Sequence, residues 1–163
     1  MTTLYTDEIL EAVVTLCKAL AWTAIVEKGD LSYLPEPVLL ALHVPSVYVK
    51  VLRIETEPDG ATGHEINSGT SLRIVVIDEY DETTEDVMKK RVDRAQAIAE
   101  AFIGTSGADF DIGGASIAGF EIHTALPTTL NLEPDEDSLV SMNESRKLFA
   151  VSVDVSVEGR ATR

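Results

Sequence analysis

Residues 83–104 read TTEDVMKKRVDRAQAIAEAFIG, and the reading of this stretch decides the fold. Met88, Val92, Ala95, Ala99 and Phe102 recur at helical spacing, so one apolar stripe runs down the segment. A stripe of that kind predicts a helix that buries one face. Thr83 followed by Asp86 resembles a capping box, with Asp where Glu is usual. Glu85 and Lys89, like Asp86 and Lys90, place acid before base one turn apart, which supports a helix modestly. Gly104 stands where a C′ residue ends it. The segments on both sides are strand-like, so the helix is expected to pack on a sheet.

Working outward, Thr70 to Tyr80 (TSLRIVVIDEY) and Val47 to Glu57 (VYVKVLRIETE) are rich in β-branched residues and read as strands. Pro58-Asp59-Gly60 signals a turn, and the polar ATGHEINSG after it reads as an exposed tip, so the two strands make an antiparallel hairpin. Residues 31–46, punctuated by Pro35, Pro37 and Pro45, read as loop with at most one helical turn. The N-terminal TDEILEAVVTLCKALAW is a second amphipathic helix, with Thr6 as cap and Asp7 and Glu8 in the first turn; Gly29-Asp30 closes that region. Downstream, Thr105 to Ala115 is a glycine-containing loop and Ile117 to Leu126 a strand. Pro127 to Arg146 is a long polar connection of the kind that is often functional or mobile. Phe149 to Val157 alternates cleanly, with its valines on one face and Ala150, Ser152, Asp154 and Ser156 on the other. The order is α-β-β-α-β-β. It predicts an α+β fold: one domain over residues 1–163, with a four-stranded, mainly antiparallel sheet and two helices packed on one face. Long exposed loops are expected at about 58–69 and 127–146.

A chain of 163 residues with 45% hydrophobic and 25% charged residues is long and apolar enough for a real core. Its formal charge of −15 repels nucleic acid at long range, while remaining compatible with lining a passage through which DNA slides. The single cysteine, Cys17, falls within the first helix and reads as a buried structural thiol. No basic segment leads into an apolar run, and no apolar stretch reaches membrane-spanning length. The expectation is a soluble chain in a reducing cytoplasm.

The motifs that carry chemistry are incomplete. His64-Glu65 opens like a zincin helix, but Ser68 stands where the second histidine belongs. Asp109 to Gly114 opens like a calcium loop, but Gly113 fills a ligand position and Glu121 comes one residue late. Gly104 to Ala108 lacks the second glycine of a nucleophile elbow. No phosphate loop or dinucleotide fingerprint is present, so neither a cofactor nor a metal is expected. Two acidic clusters remain. Asp78, Glu79, Asp81 and Glu82 lead into the central helix, whose basic residues Lys89, Lys90 and Arg94 follow at once. Glu133, Asp135, Glu136 and Asp137 lie in the long connection. Opposite charge at opposite ends of one surface suits pairing between copies of a subunit, so these residues are the candidate interface.

Three segments together resemble the tail terminator, or tail completion, proteins of the head–tail junction in long-tailed bacteriophages. They are the amphipathic TDEILEAVVTLCKAL, the strand–acidic turn–helix LRIVVIDEYDETTEDVMKKRVDRAQAIAEAFIG, and the ending SRKLFAVSVDVSVEGR after a long connection. The resemblance is one of layout across most of the chain. It implies a virion structural protein assembled in the host cytoplasm, a homohexameric ring that caps the tail tube and offers its other face to neck and connector proteins. DNA would pass through its lumen without specific binding. It brings no catalytic residues, so no enzyme activity is expected. Another neck protein (a head–tail stopper or connector), a soluble protein-binding assembly module, and an enzyme with a dispersed site are the alternatives.

Overall fold

The computed structural model describes residues 5–30, 43–59, 65–103, 112, 117–141 and 146–162. The helices are α1 (Thr6–Lys18), α2 (Val87–Ile103) and α3 (Asp135–Ser141), and the strands are β1 (Ile25–Lys28), β2 (Ser46–Asp59), β3 (Glu65–Glu79), β4 (Phe120–Asn131) and β5 (Leu148–Thr162). The strands form one sheet in the order β1-β2-β3-β5-β4. The chain is therefore α+β as expected, but the sheet has five strands rather than four and is mixed. β1 runs parallel to β2 from Ile25↔Ser46 to Lys28↔Val49, and all other pairings are antiparallel.

The strands also run further than their sequence suggests. β2 and β3 stay paired out to Asp59↔Glu65, so most of the loop expected at 58–69 is strand, and residues 60–64 lie outside the described residues. The ribbon end is polar because solvent reaches it, and polarity alone reads as loop. β4 continues through Pro127 to Asn131, and α3 occupies part of the remaining 127–146 connection. β5 runs past Val157 to Thr162 against both β3 and β4. The loops expected at 31–46 and 105–115 fall mostly outside the described residues.

The main core lies on one face of the sheet. Ile9, Val13 and Cys17 of α1 and Ala95, Ile98 and Phe102 of α2 meet Val47, Val49, Leu72, Ile74, Val76, Phe149, Val151 and Val153. Both long helices cover this face, as the stripe readings imply. The stripe of α2 differs in detail. Met88 is 46% exposed, whereas Arg91 and Ile98 are buried. The helix starts at Val87, where Asp86 Oδ1 accepts the Met88 and Lys89 N–H groups at 3.0 and 3.3 Å, so Asp86 and not Thr83 serves as the cap. Two of its ion pairs are Glu85–Lys90 and Lys89–Asp93 rather than the pairs expected.

α1 ends at Lys18, before the expected Trp22, and the Thr23 hydroxyl donates to the carbonyls of Cys17 and Leu20. Tyr5, not Thr6, occupies the N-cap in a left-handed conformation (φ 57°). Its ring packs against Phe120 at 5.7 Å, which ties this strained turn to β4.

The opposite face is not simply a small polar surface. Tyr48, Val75, Ile77, Leu148 and Ala150 form a second apolar cluster with Val140 of α3. Ala150 and Ser152 are fully buried, so β5 is covered on both faces at this end of the sheet.

Candidate functional site

The candidate interface residues separate into two groups. Asp78, Arg94, Glu136 and Asp137 are engaged inside the chain. Asp78 is 3% exposed; its Oδ2 accepts from Arg94 Nε at 2.7 Å, and its Oδ1 accepts the Glu79 N–H. Arg94 also lies over the Trp22 ring, 4.5 Å from its centroid. The pair joins β3 to α2 and the turn after α1, with Asp78 buried and the Arg94 side chain 23% exposed. Sequence reading missed this because the partners, sixteen residues apart in the chain, meet only through the strand–turn–helix geometry.

Asp137 closes a gap in the sheet. β4 ends at Asn131↔Ser152, leaving Ala150 without a strand neighbour on that side. Asp137 Oδ1 accepts the Ala150 N–H at 2.8 Å, and Arg91 Nη1 donates to the Ala150 carbonyl at 3.1 Å and to the Leu132 carbonyl at 2.6 Å. Arg91 and Asp137 pair at 3.1 Å, and the guanidinium lies over Phe149. Together the two side chains supply the donor and acceptor that a missing strand would have offered.

Glu136 sits above a charged ladder that sequence reading did not single out. Lys50↔Arg73 and Arg73↔Asp154 are cross-strand partners on adjacent strands. Glu136, 4% exposed, receives Lys50 Nζ at 2.9 Å and lies 3.8 Å from Arg73; Arg73 holds Asp154 at 2.8 Å, and Asp30 reaches Lys50 at 3.3 Å. Burial lowers the Lys50 ammonium, but its Glu136 hydrogen bond and the charges of Glu136 and Asp30 outweigh that and raise it overall. The Asp154 hydrogen bond likewise raises Arg73 against burial. The only early signal was alternation: Lys50, Arg73 and Asp154 each interrupt apolar strand patterns at a position facing away from the main core. This arrangement anchors α3 to the sheet by charge, and its cations are occupied by the chain's own acids.

The remaining candidates stand outside. Glu79 pairs with Arg146 at 3.2 Å and Glu82 with Lys147 at 3.2 Å. Lys90 donates to the Glu79 carbonyl at 2.6 Å and pairs with Glu85, which its hydrogen bond holds below the ordinary carboxylate range. Asp81 accepts from the Thr83 hydroxyl and N–H and is lowered by them. Lys89, Glu133 and Asp135 are exposed. Glu79, Asp81, Glu82, Lys89 and Lys90 form a rim around the start of α2 that is tied into local pairs.

The sheet edges make the other exposed surface. Among the described residues, β2 has no strand beside it beyond Val49, and β4 has none on its outer side. Leu52 and Ile54 on β2 are 44% and 40% exposed, and Leu126 and Leu130 on β4 are 46% and 42% exposed. At the ribbon end a shallow groove of about 870 Å³ is lined by Glu55, Glu57, Asn67, His123, Glu158 and Arg160, among others. Among the described residues, no group of three or more His, Cys, Asp or Glu side chains is placed to hold a metal. Among the described residues, no helix is long and apolar enough to cross a membrane either. A scan against protein-family models finds no match, and a search of curated proteins finds none either.

Proposed function

We propose that the chain is a structural protein of a bacteriophage tail that forms a homohexameric ring on the end of the tail tube and presents the tail-side surface for head and neck attachment. One observation carries the reading: β3 passes through the acidic turn of residues 80–86 directly into α2, with α1 packed beside it on the same sheet face. That is the arrangement implied by the resemblance of the three quoted segments. The exposed members of the acidic and basic candidate set, Glu79, Asp81, Glu82, Lys89, Glu133 and Asp135, remain open to neighbouring subunits or tail tube and neck partners. A net charge of −15 per copy suits a lumen that DNA traverses without sticking.

The test is direct. Purified chain is added to isolated tail tubes and imaged by negative-stain electron microscopy. The reading expects a hexameric ring on one tube end and arrest of further tube growth. Tubes that keep growing with bare ends, at chain concentrations well above those of the tubes, would overturn it.

A further inference from the structure

The two sheet edges differ in how well they are guarded. β4 carries register shifts at Ile122/Thr124 and at Pro127/Thr129, and Pro127 has no N–H to offer. Bulges and proline on an edge discourage pairing with another strand. β2 has one shift, between Val51 and Arg53, and then runs without interruption through residues 53–57. Among the described residues this stretch has a strand on one side only, the β3 side. It also carries the exposed Ile54, with Leu52 just before it, so an open ladder and apolar side chains coincide.

The order of charges on this edge says what fits it. Arg53 and Glu55 project from one face of the strand, 68% and 67% exposed, and pair with each other at 2.6 Å. Suppose a second copy of β2 approaches antiparallel about a two-fold axis. Symmetry then requires one residue to face its own copy, and the side chains of opposed residues lie on the same face. Centring on Arg53 sets Arg53 against Arg53. Centring on Glu55 sets Arg53 against Glu57 on both sides but Glu55 against Glu55 at the axis, and centring on Thr56 sets Glu55 against Glu57 twice. Centring on Ile54 places Arg53 opposite Glu55 on both sides of the axis and Ile54 against Ile54. Of the registers within 53–56, this one alone opposes unlike charges without also opposing like ones, and it sets the exposed isoleucine on its own copy.

We infer that the open edge of β2 pairs with β2 of a second copy in a two-fold antiparallel contact centred on Ile54. The contact extends the sheet across two subunits and leaves β4, α1 and α2 free. It does not rest on the ring reading, because a two-fold contact pairs one patch with itself, whereas a rotational ring joins two different patches.

Sedimentation velocity on the full chain tests it, across protein concentrations and at an ionic strength of about 0.3 M, where long-range repulsion is screened. The unaltered chain is expected to pass from monomer to dimer as concentration rises. Arg53→Glu alone sets acid against acid, and Glu55→Arg alone sets base against base; each is expected to weaken the dimer about tenfold or more. Mixing the two variants restores opposite charges at both positions, so a heterodimer of unaltered strength should form. The double variant Arg53→Glu/Glu55→Arg should also dimerise as the parent does. Both side chains are exposed, and matching thermal melts establish that the variants fold. A parent chain that stays monomeric to about millimolar concentration, single variants that dimerise normally, or a mixture that stays monomeric each overturns the inference. A tube-bound ring that is unaffected while the dimer is absent would remove this contact and keep the ring; a dimer without a ring would do the reverse.

Discussion

Arg91 shows how one side chain can stand in for a strand. It lies on the apolar stripe of α2, four residues before Ala95, and it is 9% exposed and 3.1 Å from Asp137. Arg91→Met keeps the length and removes the charge, leaving the Leu132 and Ala150 carbonyls without the guanidinium donor and Asp137 with the Ala150 N–H but no cation. Breaking a buried pair from one side costs about 3 kcal/mol. Arg91→Met/Asp137→Leu removes both charges and should recover part of that loss, which a double-mutant cycle in urea would read; additive losses would sink the account. Cys17 gives a second residue-scale expectation. Burial raises its thiol from 9.0 to about 12. The folded protein then keeps a proton that the unfolded chain releases, so stability falls as pH rises from about 9 toward 12, by about 1.4 kcal/mol per unit. Tyr48, raised by burial and then by the Glu27 charge, adds in the same direction. Urea midpoints from pH 8 to 11 should show a shallower decline for Cys17→Ala than for the parent, and equal slopes would refute the assignment. Little of the site at this scale was legible in advance. A carboxylate looks the same in sequence whether it faces water, as Glu133 does, or an arginine two elements away, as Asp137 does.

At the scale of elements, the close approach of β4 to β5 depends on Gly159. A Cβ there would meet the Glu121 carbonyl oxygen at 2.4 Å and the Phe120 ring at 2.5 Å, the first of them backbone that cannot turn aside. Gly159→Ala should therefore destabilise by about 1–3 kcal/mol. Gly69, on the neighbouring strand, has nothing within 4 Å of its Cβ position, so Gly69→Ala should be neutral or gain about 0.5 kcal/mol. Thermal melts of the two variants give the comparison, and similar losses would refute the close-approach argument. Elements whose patterns were long and apolar were legible: α1, α2 and the valine face of β5 lie where their periodicities put them. The rest escaped for physical reasons. β1 has four residues, too few to display a period. The outer halves of β2 and β3 bear Glu55, Glu57 and Asn67 because water wets them, and such residues otherwise mark loops. α3 is seven residues that open on three acids, held by Glu136 and Asp137 reaching basic groups on other elements, a cause that local sequence does not contain.

For the whole molecule, charge sets the conditions under which copies can meet. Each carries −15. From the expected size of a chain this long, two copies in contact have centres about 35 Å apart. Treated as point charges in water without salt, they repel by about 27 kcal/mol. At an ionic strength of about 0.01 M, with a screening length of about 30 Å, some 8 kcal/mol remains; at about 0.1 M, with a length of about 10 Å, less than 1 kcal/mol does. The opposing attractions are short-ranged. Two exposed Arg53–Glu55 contacts contribute about 1 kcal/mol each at most, and a cross-strand apolar pair a similar amount. Repulsion therefore wins in dilute buffer and loses near physiological salt. Self-association, whether through β2 or around a ring, should strengthen as salt rises from about 0.01 to 0.15 M, the reverse of what a single attractive ion-pair interface would do. Light scattering across that series, at fixed protein concentration, should show mass increasing with salt; mass that falls would mean that local ion pairs outweigh the net charge.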